Sequence, residues 1–349
     1  MGLVSEPFLT TTDSQPLVSV CIANYNGANM LRECLDSVLG QEGDIDLEII
    51  VHDDASIDAS AEVLSEYPDV RLLQSSQNVG FCVANNRMVA IAGGRYVLLL
   101  NNDAALFPDA LATLLAAEYI SPSRQILTLP QYDWSSGRLV DRGCLLDPFY
   151  TPVPNLDPQR SEVAYVIGAC LWISRAAWAE LGGFPEWMES IGEDLYLCCQ
   201  ARIRGLSVQA LKTSGYRHRQ GVSFGGNRVS HGQLRTNFRR RYLSERNRMV
   251  TALLCSPAWL RWPWWAVLAL ALFLEALLLS LTRRSGDVFQ RIYWPATRDS
   301  ASLWRTATAS GRAIPLPGDI STRRFLAAFV PWPAKLRLLF RHGVPRIEG

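Results

Sequence analysis

The sequence lacks the features of several protein classes. Its eight cysteines include no C-x-x-C pair, which leaves no paired-cysteine metal or redox motif. Several cysteines lie inside apolar runs, so we expect reduced, buried thiols in a cytosolic compartment. The N-terminal stretch MGLVSEPFLTTTDSQP contains no apolar segment, which argues against a secretory signal peptide. Internal repeats and low-complexity runs are also missing, which argues against a repeat architecture.

The chain does contain enough apolar sequence for a folded core. Of its 349 residues, 48% are hydrophobic and 19% are charged, a composition typical of a globular protein rather than a disordered one. The length fits one large domain or one domain with an appendage.

The net charge of +1 conceals two halves of opposite sign. Residues 1–199 contain 9 Lys and Arg against 27 Asp and Glu, a balance of −18, whereas residues 200–349 contain 25 against 6, a balance of +19. This asymmetry predicts a site region and a separate surface that meets an anionic partner: nucleic acid, phospholipid headgroups or an anionic substrate.

Strand-like and helix-like segments alternate from residue 17 to about residue 130. This alternation predicts an α/β fold with a mostly parallel, Rossmann-like sheet flanked by helices. Residues 131–160 lose the periodicity and predict a loop region with a short hairpin, before a strand and a helix in VAYVIGACLWISRAAWAELGGF. Ligands of such sheets bind at the carboxyl ends of the strands. The polar clusters that fall there are Asn24, Asp53–Asp54, Asn78 and Asp103.

The acid after the apolar strand YVLLL raises a question about its partner. Asp103 closes the run Asn101-Asn102-Asp103 that follows this strand, and a buried unpaired carboxylate is costly. A turn with an Asx cap is one explanation. The other is Mg²⁺ or Mn²⁺, which takes one or two protein carboxylates and completes its shell with water and substrate phosphates. We therefore predict that Asp103 holds a cation bound to a diphosphate.

Two adjacent acid pairs are further candidates. Asp53 and Asp54 follow a β-branched strand, where one acid can cap the next helix and the other can accept hydrogen bonds from a base or ribose. Glu193 and Asp194 follow Gly192 at a helix start. The helix dipole favours acids there, but a carboxylate at a site mouth is also the usual base for a hydroxyl nucleophile.

A basic, glycine-rich stretch, GYRHRQGVSFGGNR, contains a single histidine. We interpret it as a lid over a diphosphate. His218 is then a candidate metal ligand, and Arg217 or Arg219 is a candidate for neutralising phosphate charge.

Taken in order, these segments resemble the inverting glycosyltransferases of family 2, which have the A-type nucleotide-sugar fold. The similarity covers about residues 16–250, and the chain is most similar to the rhamnosyltransferase-like branch, including its Arg-Asn segment in RYLSERNRM. The segments that carry it are VSVCIANYNGANMLRECLDSVLGQ, IIVHDDAS, NVGFCVANNRMVAIAGGRYVLLLNNDA, VIGACLWISRAAWAELGGF, GEDLYLCCQARIRG and His218.

The resemblance implies which residues contact the nucleotide. Asp54 would bind the nucleoside base, with the backbone near Ala23 and Asn24 helping. The residues that match the family's run beside the nucleotide are Asn78, Gly80 and Asn86.

The resemblance also implies a metal site and a catalytic base. Asn102 and Asp103 lie in the D-x-D position, so Asp103 would bind the metal and His218 would complete the site. Asp194 would be the catalytic base, and Glu193 would support acceptor binding.

Three departures from the family pattern bear on metal affinity and acceptor binding more than on the reaction class. The D-x-D position lacks its first acid, which is Asn101 here. The usual GGFDE reads GGFPE, and the acid expected two residues after the Glu-Asp pair is Tyr196.

The prediction is an inverting, metal-dependent transfer of a sugar from a nucleoside-diphosphate sugar to a hydroxyl of a lipid-linked or polysaccharide acceptor. Rhamnose is the sugar that the branch indicates, and no nucleic acid is expected as a partner. Two alternatives stay open. A sugar-phosphate nucleotidyltransferase would need a basic loop after the first strand. The loop at that place here, ANYNGANM, has no basic residue, which argues against this alternative. An inactive glycan-binding scaffold with the same fold would account for the departures.

The C-terminal third predicts contact with a membrane. Residues 259–284 are apolar, with aromatics in front and arginines behind, and Glu275 interrupts them. A helix of about 18 apolar residues is at the lower limit of a membrane span, and a glutamate is costly in hydrocarbon. A spanning or re-entrant helix, a helix in the membrane interface and a buried core helix therefore stay open.

We expect three regions along the chain. An N-terminal tail (1–15) precedes the nucleotide-sugar-binding catalytic domain (16–230). A basic helical region (231–349) follows, with a membrane-associating helix at about 262–281. The expected location is the cytoplasmic side of the cell membrane, because lipid-linked acceptors lie there and basic residues favour anionic headgroups.

Overall fold

The computed structural model describes residues 15–120, 124–221, 228–230, 233–309, 325–343 and 346–348. The strands in chain order are β1 (Val18–Asn24), β2 (Leu47–Asp53), β3 (Arg71–Gln74), β4 (Tyr96–Asn101), β5 (Ala104–Leu106), β6 (Gln125–Thr128), β7 (Gln131–Asp133), β8 (Leu139–Asp141), β9 (Cys144–Leu146), β10 (Pro152–Pro154), β11 (Cys170–Ser174), β12 (Ser207–Ala210), β13 (Tyr216–His218), β14 (Arg228–Ser230), β15 (Gln233–Asn237) and β16 (Arg346–Glu348).

Helices alternate with these strands in the first half of the chain and dominate its C-terminal part. They are α1 (Ala28–Leu39), α2 (Ser60–Ser65), α3 (Phe81–Ile91), α4 (Ala110–Ile120), α5 (Arg175–Leu181), α6 (Glu193–Ile203), α7 (Phe238–Cys255), α8 (Ala258–Arg283), α9 (Trp294–Ala309) and α10 (Ala334–His342), with a 3₁₀ turn at Glu186–Met188 and a π-helical turn at Phe289–Tyr293.

A seven-stranded sheet forms the centre of the fold, in the order β12-β6-β11-β4-β1-β2-β3. Its pairs are parallel except where β11 runs antiparallel to β4 and β6. Because β11 is reversed, its first residue, Cys170, lies opposite Leu100 near the carboxyl end of β4. The predicted α/β fold with a mostly parallel sheet is confirmed.

The sheet is buried on both faces because its strands alternate their apolar side chains between two layers of helices. In β4, Leu98 packs with residues of α1 and α4. Its neighbour Leu99 points to the other face and packs with residues of α3, α5 and α6. Both leucines are fully buried. A strand covered on two faces is therefore apolar throughout, as YVLLL is.

Residues 131–160 are mostly loop, as predicted, but they contain two antiparallel strand pairs, β7–β8 and β9–β10, where the sequence predicted one short hairpin. Their three-residue strands are too short to show a periodic pattern. The segment QILTLPQYD has the pattern of a single strand, but it is divided at Pro130 into β6 and β7, which belong to different sheets, because proline cannot donate a ladder hydrogen bond.

All eight thiols are free and buried, as predicted, whereas the cytosolic compartment stays a prediction. The predicted domain boundary after residue 230 stays a prediction. The N-terminal tail, apart from residue 15, and positions 222–227 of the predicted lid lie outside the described residues.

Candidate functional site

Three strand ends are tied together by polar side chains at the carboxyl edge of the sheet. The Asn24 amide at the end of β1 donates to Asp53 Oδ1 at the end of β2, at 2.9 Å. The Asn102 amide, just after β4, donates to Asn24 Oδ1 at 2.7 Å. Ser56 donates to Asp53 at 2.6 Å. The three strands therefore end in one buried hydrogen-bonded cluster.

Gly27 is required beside this cluster. A Cβ at this position would lie 2.1 Å from Asn102 Nδ2 and 2.5 Å from Asn24 Oδ1. Both atoms belong to the network that joins the strand ends, so they cannot move away without breaking it. Because Gly27 has no side chain, the backbone of the loop after β1 can lie directly against the cluster.

Asp54 is buried and organises the neighbouring loop. Its two carboxylate oxygens accept the backbone N–H groups of Val79 at 2.7 Å and Gly80 at 2.8 Å, and its own N–H donates to the Asn24 carbonyl at 2.8 Å. Asn78, the residue before this contact, is exposed, and Ala23 is half-buried. Asp54 therefore holds the start of α3 against the end of β1.

Asp103 and His218 lie side by side, although 115 positions separate them in the sequence. Strand β13 pairs antiparallel with β5, so that His218 lies opposite Ala104. The distance from His218 Nε2 to Asp103 Oδ1 is 3.0 Å, and both residues are buried. The structure therefore brings together the two residues that the sequence singles out as metal ligands.

The other ring nitrogen of His218 faces polar groups that sequence reasoning missed. His218 Nδ1 is 3.3 Å from Gln131 Oε1, which also accepts from the Tyr216 hydroxyl at 2.7 Å. Strand pairing places Asp141 opposite Gln131. Burial raises the pKa of Asp141 to about 7, although the Gly143 N–H and a charge on His218 oppose the shift. Such contacts fix the orientation of an imidazole ring.

Asp103 and His218 supply one carboxylate oxygen and one imidazole nitrogen. The described residues contain no group of three or more His, Cys, Asp or Glu side chains that could hold a metal ion. A cation bound at Asp103 would therefore complete its shell with water and ligand oxygens, which is how Mg²⁺ and similar cations bind at phosphate sites. The donor set fits such a cation.

The second acid site begins at the first residues of α6. Asp194 Oδ2 accepts the Gly168 N–H at 3.1 Å, and Asp194 Oδ1 accepts the Leu195 N–H at 2.7 Å. Glu193 is buried, and its Oε2 atom has no hydrogen-bond partner among the described residues. The Glu193 carboxyl is thus available to a ligand.

Both acids of α6 are shifted toward the neutral form. Burial and the charge of Asp194 raise the pKa of Glu193. Burial also raises the pKa of Asp194, while the Gly168 and Leu195 N–H groups and the charge of Arg240 oppose that shift. Two close carboxyls cannot both ionise easily, so one neutral and one ionised group is the favoured state near neutral pH.

Asp194 is joined to the other strand ends through the chain segment before β11. Gly168, whose N–H binds Asp194, precedes Ala169, whose carbonyl accepts the Asn101 N–H at 3.1 Å. A Cβ at Gly168 would touch the Phe81 ring at 3.5 Å, and Phe81 follows the Gly80 held by Asp54. The acids are therefore connected by short contacts at one edge of the sheet.

Asn86, which the resemblance places beside the nucleotide, forms its hydrogen bonds with the backbone of another segment of the protein. Its amide donates to the Phe184 carbonyl at 2.9 Å and accepts the Phe184 N–H at 3.0 Å. These bonds hold the GGFPE segment. An open cleft of about 420 Å³ lies there, lined by Asn86, Gly182, Phe184, Pro185, Glu186 and Trp187.

One family model matches part of the chain. Residues 19–179 match the model described as Glycosyl transferase family 2. Hyaluronan synthase of Pasteurella multocida is 28% identical over 240 residues, which cover 67% of this chain and 22% of that protein. Succinoglycan biosynthesis protein ExoO of Rhizobium meliloti is 34% identical over 105 residues, 30% of each chain. The chain spans about a third or less of the length of these relatives.

Comparison with solved structures agrees with the fold. GalNAc-T7 with UDP, GalNAc and Mn²⁺ matches with a TM-score of 0.56 at 16% identity, over 69% of this chain and 48% of that one. Residues 1–349 of S. aureus TarS with UDP-GlcNAc match with a TM-score of 0.51 at 19% identity, over 85% and 91% of the two chains. At these identities the likeness concerns the fold, which is that of A-type glycosyltransferases.

Proposed function

We propose that this chain, whose residues 19–179 match the model of glycosyltransferase family 2, transfers a sugar, with inversion, from a nucleoside-diphosphate sugar to a hydroxyl of a lipid-linked or polysaccharide acceptor. The observation that carries the proposal is the connection of the acids at one sheet edge: Asp53 through Asn24 and Asn102, and Asp194 through Gly168. Ligands of parallel α/β sheets bind at this edge.

The donor nucleotide fits the strand ends. The Asp54 carboxylate, already bound to two N–H groups, retains lone pairs on each oxygen for a base N–H or a ribose hydroxyl. The bare backbone at Gly27 and the cluster of Asn24 and Asn102 line the same edge. The UDP and UDP-GlcNAc in the complexes of the fold neighbours support a nucleotide-sugar donor.

Asp103 and His218 would hold a divalent cation. Bound there, Mg²⁺ or Mn²⁺ supplies positive charge that stabilises a leaving diphosphate. The Mn²⁺ in the GalNAc-T7 complex supports the proposal that the reaction depends on a metal ion. The D-x-D position offers Asp103 as its one carboxylate, and its middle residue, Asn102, binds Asn24 in the strand-end cluster.

Asp194 is the proposed base. Its carboxylate would accept the proton of the acceptor hydroxyl as that oxygen attacks the anomeric carbon on the face opposite the diphosphate, so the configuration inverts. The raised pKa of Asp194, caused by burial, makes the carboxylate a stronger proton acceptor near neutral pH. Glu193, kept neutral by burial and by the Asp194 charge, is then able to donate a hydrogen bond to the acceptor.

The test is a donor panel with the full chain. Nucleoside-diphosphate sugars, including deoxythymidine-diphosphate rhamnose, are incubated with Mn²⁺ or Mg²⁺ and a lipid-linked or polysaccharide acceptor, and released nucleoside diphosphate is measured. We expect release with one donor and an inverted anomeric configuration in the product by NMR. Pyrophosphate release from a nucleoside triphosphate and a sugar phosphate would identify a nucleotidyltransferase instead. Glycan binding without release from any donor would indicate a scaffold.

Among the described residues, α8 is the helix with the length and mean hydropathy (2.1) of a membrane span. Its Glu275 forms ion pairs of 2.6 Å with Arg241 of α7 and with Lys335 of α10. One face of α8 is buried against the protein by Leu268, Leu272, Ala276 and Leu279.

These contacts favour a helix that lies in the membrane interface over one that crosses the bilayer. Helix α7 packs against α8 and also against α6, which bears the acids. A crossing α8 would therefore take the body of the protein into hydrocarbon or break the Glu275 ion pairs. The opposite face of α8 is exposed and apolar, and its side chains are Trp259, Trp262, Val267, Leu270, Phe273, Leu274, Leu277, Leu278 and Leu281.

Exposed arginines on α8 and α10 favour contact with an anionic phospholipid surface. Arg284 at the end of α8 and Arg337 and Arg341 on α10 are exposed. Each basic side chain near an anionic membrane contributes about 1 kcal/mol. Helix α10 adds the exposed apolar residues Leu336 and Phe340. We propose peripheral binding to anionic membrane through the exposed faces of α8 and α10.

Substituting Leu274 and Leu277 with glutamate is expected to weaken vesicle binding by about tenfold or more, because both side chains would lose apolar burial in the interface. Sedimentation with vesicles containing phosphatidylglycerol measures the change. Leu156→Glu is the matched control, because Leu156 is equally exposed, at 58% against 55% for Leu274, but lies elsewhere. Membrane-bound protein should also be released by a carbonate wash at high pH. Protein that stays in the membrane after this wash would show a spanning helix.

A further inference from the structure

The segment that precedes the acids has an unusual backbone. Of the four residues Glu189, Ser190, Ile191 and Gly192, three have positive φ angles: 66° at Glu189, 69° at Ile191 and 96° at Gly192. This conformation suits glycine but is disfavoured for a β-branched residue such as Ile191. Such strain persists only where surrounding contacts impose it. We call residues 188–192 the pre-acid turn, because Glu193 and Asp194 follow it directly.

Two neighbouring side chains of α7 bind the pre-acid turn. The Asn247 amide nitrogen lies 3.0 Å from the Met188 carbonyl, 3.0 Å from the Ser190 carbonyl and 2.7 Å from the Ile191 carbonyl. Asn247 is fully buried. Its two N–H groups therefore converge on three carbonyls that the positive φ angles turn toward α7.

Arg246 completes the arrangement. Its Nε donates to Asn247 Oδ1 at 2.9 Å, which fixes the orientation of the amide. Its Nη2 donates to the Met188 carbonyl at 2.9 Å, and its Nη1 donates to the Glu189 carboxylate at 2.9 Å. The Arg246 side chain is buried as well. The fork of one guanidinium thus binds both the turn and the asparagine that holds it.

We propose that Arg246 and Asn247 are positioning residues, which hold the pre-acid turn in its positive-φ conformation and thereby place Glu193 and Asp194 against the acceptor. The proposal rests on the proposed function, since it takes Asp194 as the base. Neither side chain touches the reacting atoms in this account. Their effect passes through the carbonyls of the turn to the first residue of α6.

The φ of 96° at Gly192, which side chains rarely adopt, explains the glycine at the end of the turn. A Cβ on Gly192 would lie 3.4 Å from Asn247 Cβ, so α7 packs directly on the residue before Glu193. Tyr196 donates its N–H to the Gly192 carbonyl at 2.9 Å and starts the helix there. A shift of the turn therefore moves the start of α6 and the acids with it.

The experiment compares Asn247→Ala with wild type in the full chain, using the donor identified by the panel. A misplacement of about 1 Å can reduce turnover by about 100-fold. We expect a loss of that order in kcat, with the donor KM within threefold and UDP binding in the presence of Mn²⁺ unchanged. Ile191→Gly in the Asn247→Ala background should restore part of kcat, because glycine adopts the positive φ without strain.

Asn155→Ala is the matched control. Asn155 is also buried, at 2% exposure, and its amide binds two backbone carbonyls, those of Arg142 and Arg160, at 3.2 and 2.9 Å. It should lower the melting temperature as Asn247→Ala does while leaving kcat within threefold of wild type. Equal losses of kcat in the two variants, or a loss confined to donor affinity, would overturn the proposal.

Hydrogen exchange provides a readout that does not depend on activity. Asn247→Ala should speed amide exchange in residues 188–196, whereas Asn155→Ala should speed it near residues 141–160. If wild type transfers no sugar from any donor, the proposed function fails, and exchange alone decides whether Asn247 holds the turn. Unchanged exchange in residues 188–196 would show that it does not.

Discussion

Replacing Asp194 with asparagine is expected to lower kcat by about 1,000-fold, because a positioned general base contributes roughly 10²–10⁴-fold to the rate. Asparagine keeps the size of the side chain and its acceptor oxygen, so the Gly168 N–H at 3.1 Å can still be bound. It cannot accept the proton of the acceptor hydroxyl. The donor KM should change little, since Asp194 lies on the acceptor side of the proposed reaction.

Asp147→Asn is the matched control for this loss. Asp147 is fully buried and also accepts backbone N–H groups, those of Phe149 and Thr151, each at 2.8 Å. Any general cost of neutralising a buried carboxylate should therefore appear in both variants. We expect a lower melting temperature in Asp147→Asn but a kcat within threefold of wild type. Full activity in Asp194→Asn would assign the base to another residue.

The pH dependence follows from the direction of the pKa shift. Burial raises the pKa of Asp194, and a base must be ionised to work. Activity should therefore decline as the pH falls through this raised pKa, at a higher pH than an ordinary aspartate would give. Glu193→Gln, which mimics the neutral form of Glu193, should leave the position of this decline nearly unchanged, because burial and the Asp194 charge already keep the Glu193 carboxyl neutral there.

The strand ends could be predicted because their signal is local. Each apolar strand runs directly into polar residues, and the alternation with helices predicts that the carboxyl ends meet at one edge. The contact between Asp103 and His218 has no local signal, since 115 positions separate the two residues. It was implied by the resemblance, and the pairing of β5 with β13 provides its physical reason. The roles of these residues stay predictions.

Contacts made by packed helices could not be predicted. The sequence shows that Glu275 interrupts an apolar helix, and it correctly indicates a cost. It does not show that Arg241 and Lys335 surround that glutamate, because the partners belong to different helices and depend on how these pack. The contact between Asn247 and the pre-acid turn could not be predicted either. The residue types of Glu189 and Ile191 do not indicate the positive φ angles that these two residues adopt. The second antiparallel strand pair of residues 131–160 could not be predicted, because three-residue strands show no periodic pattern.

The second large effect is expected at Asp103. Asp103→Asn keeps the shape of the side chain but removes its negative charge, and the described residues offer no third metal-binding side chain to compensate. We therefore expect kcat/KM to fall by about 100-fold or more at a fixed Mn²⁺ concentration, in line with the several kcal/mol that a bound cation contributes to charge stabilisation. Part of the activity should return as Mn²⁺ is raised.

Binding separates a metal role from a structural one. In wild type, UDP should bind more tightly with Mn²⁺ than without it, because a cation at Asp103 and His218 would contact the diphosphate. In Asp103→Asn this difference should shrink toward zero, while uridine, which has no diphosphate, should bind both proteins equally. Asp157→Asn is the control, since Asp157 lies in the exposed loop after β10, where it accepts the Gln159 N–H, and it should keep the full Mn²⁺ effect. Tight, Mn²⁺-dependent UDP binding by Asp103→Asn would exclude this carboxylate as the metal ligand and return it to the role of a turn cap.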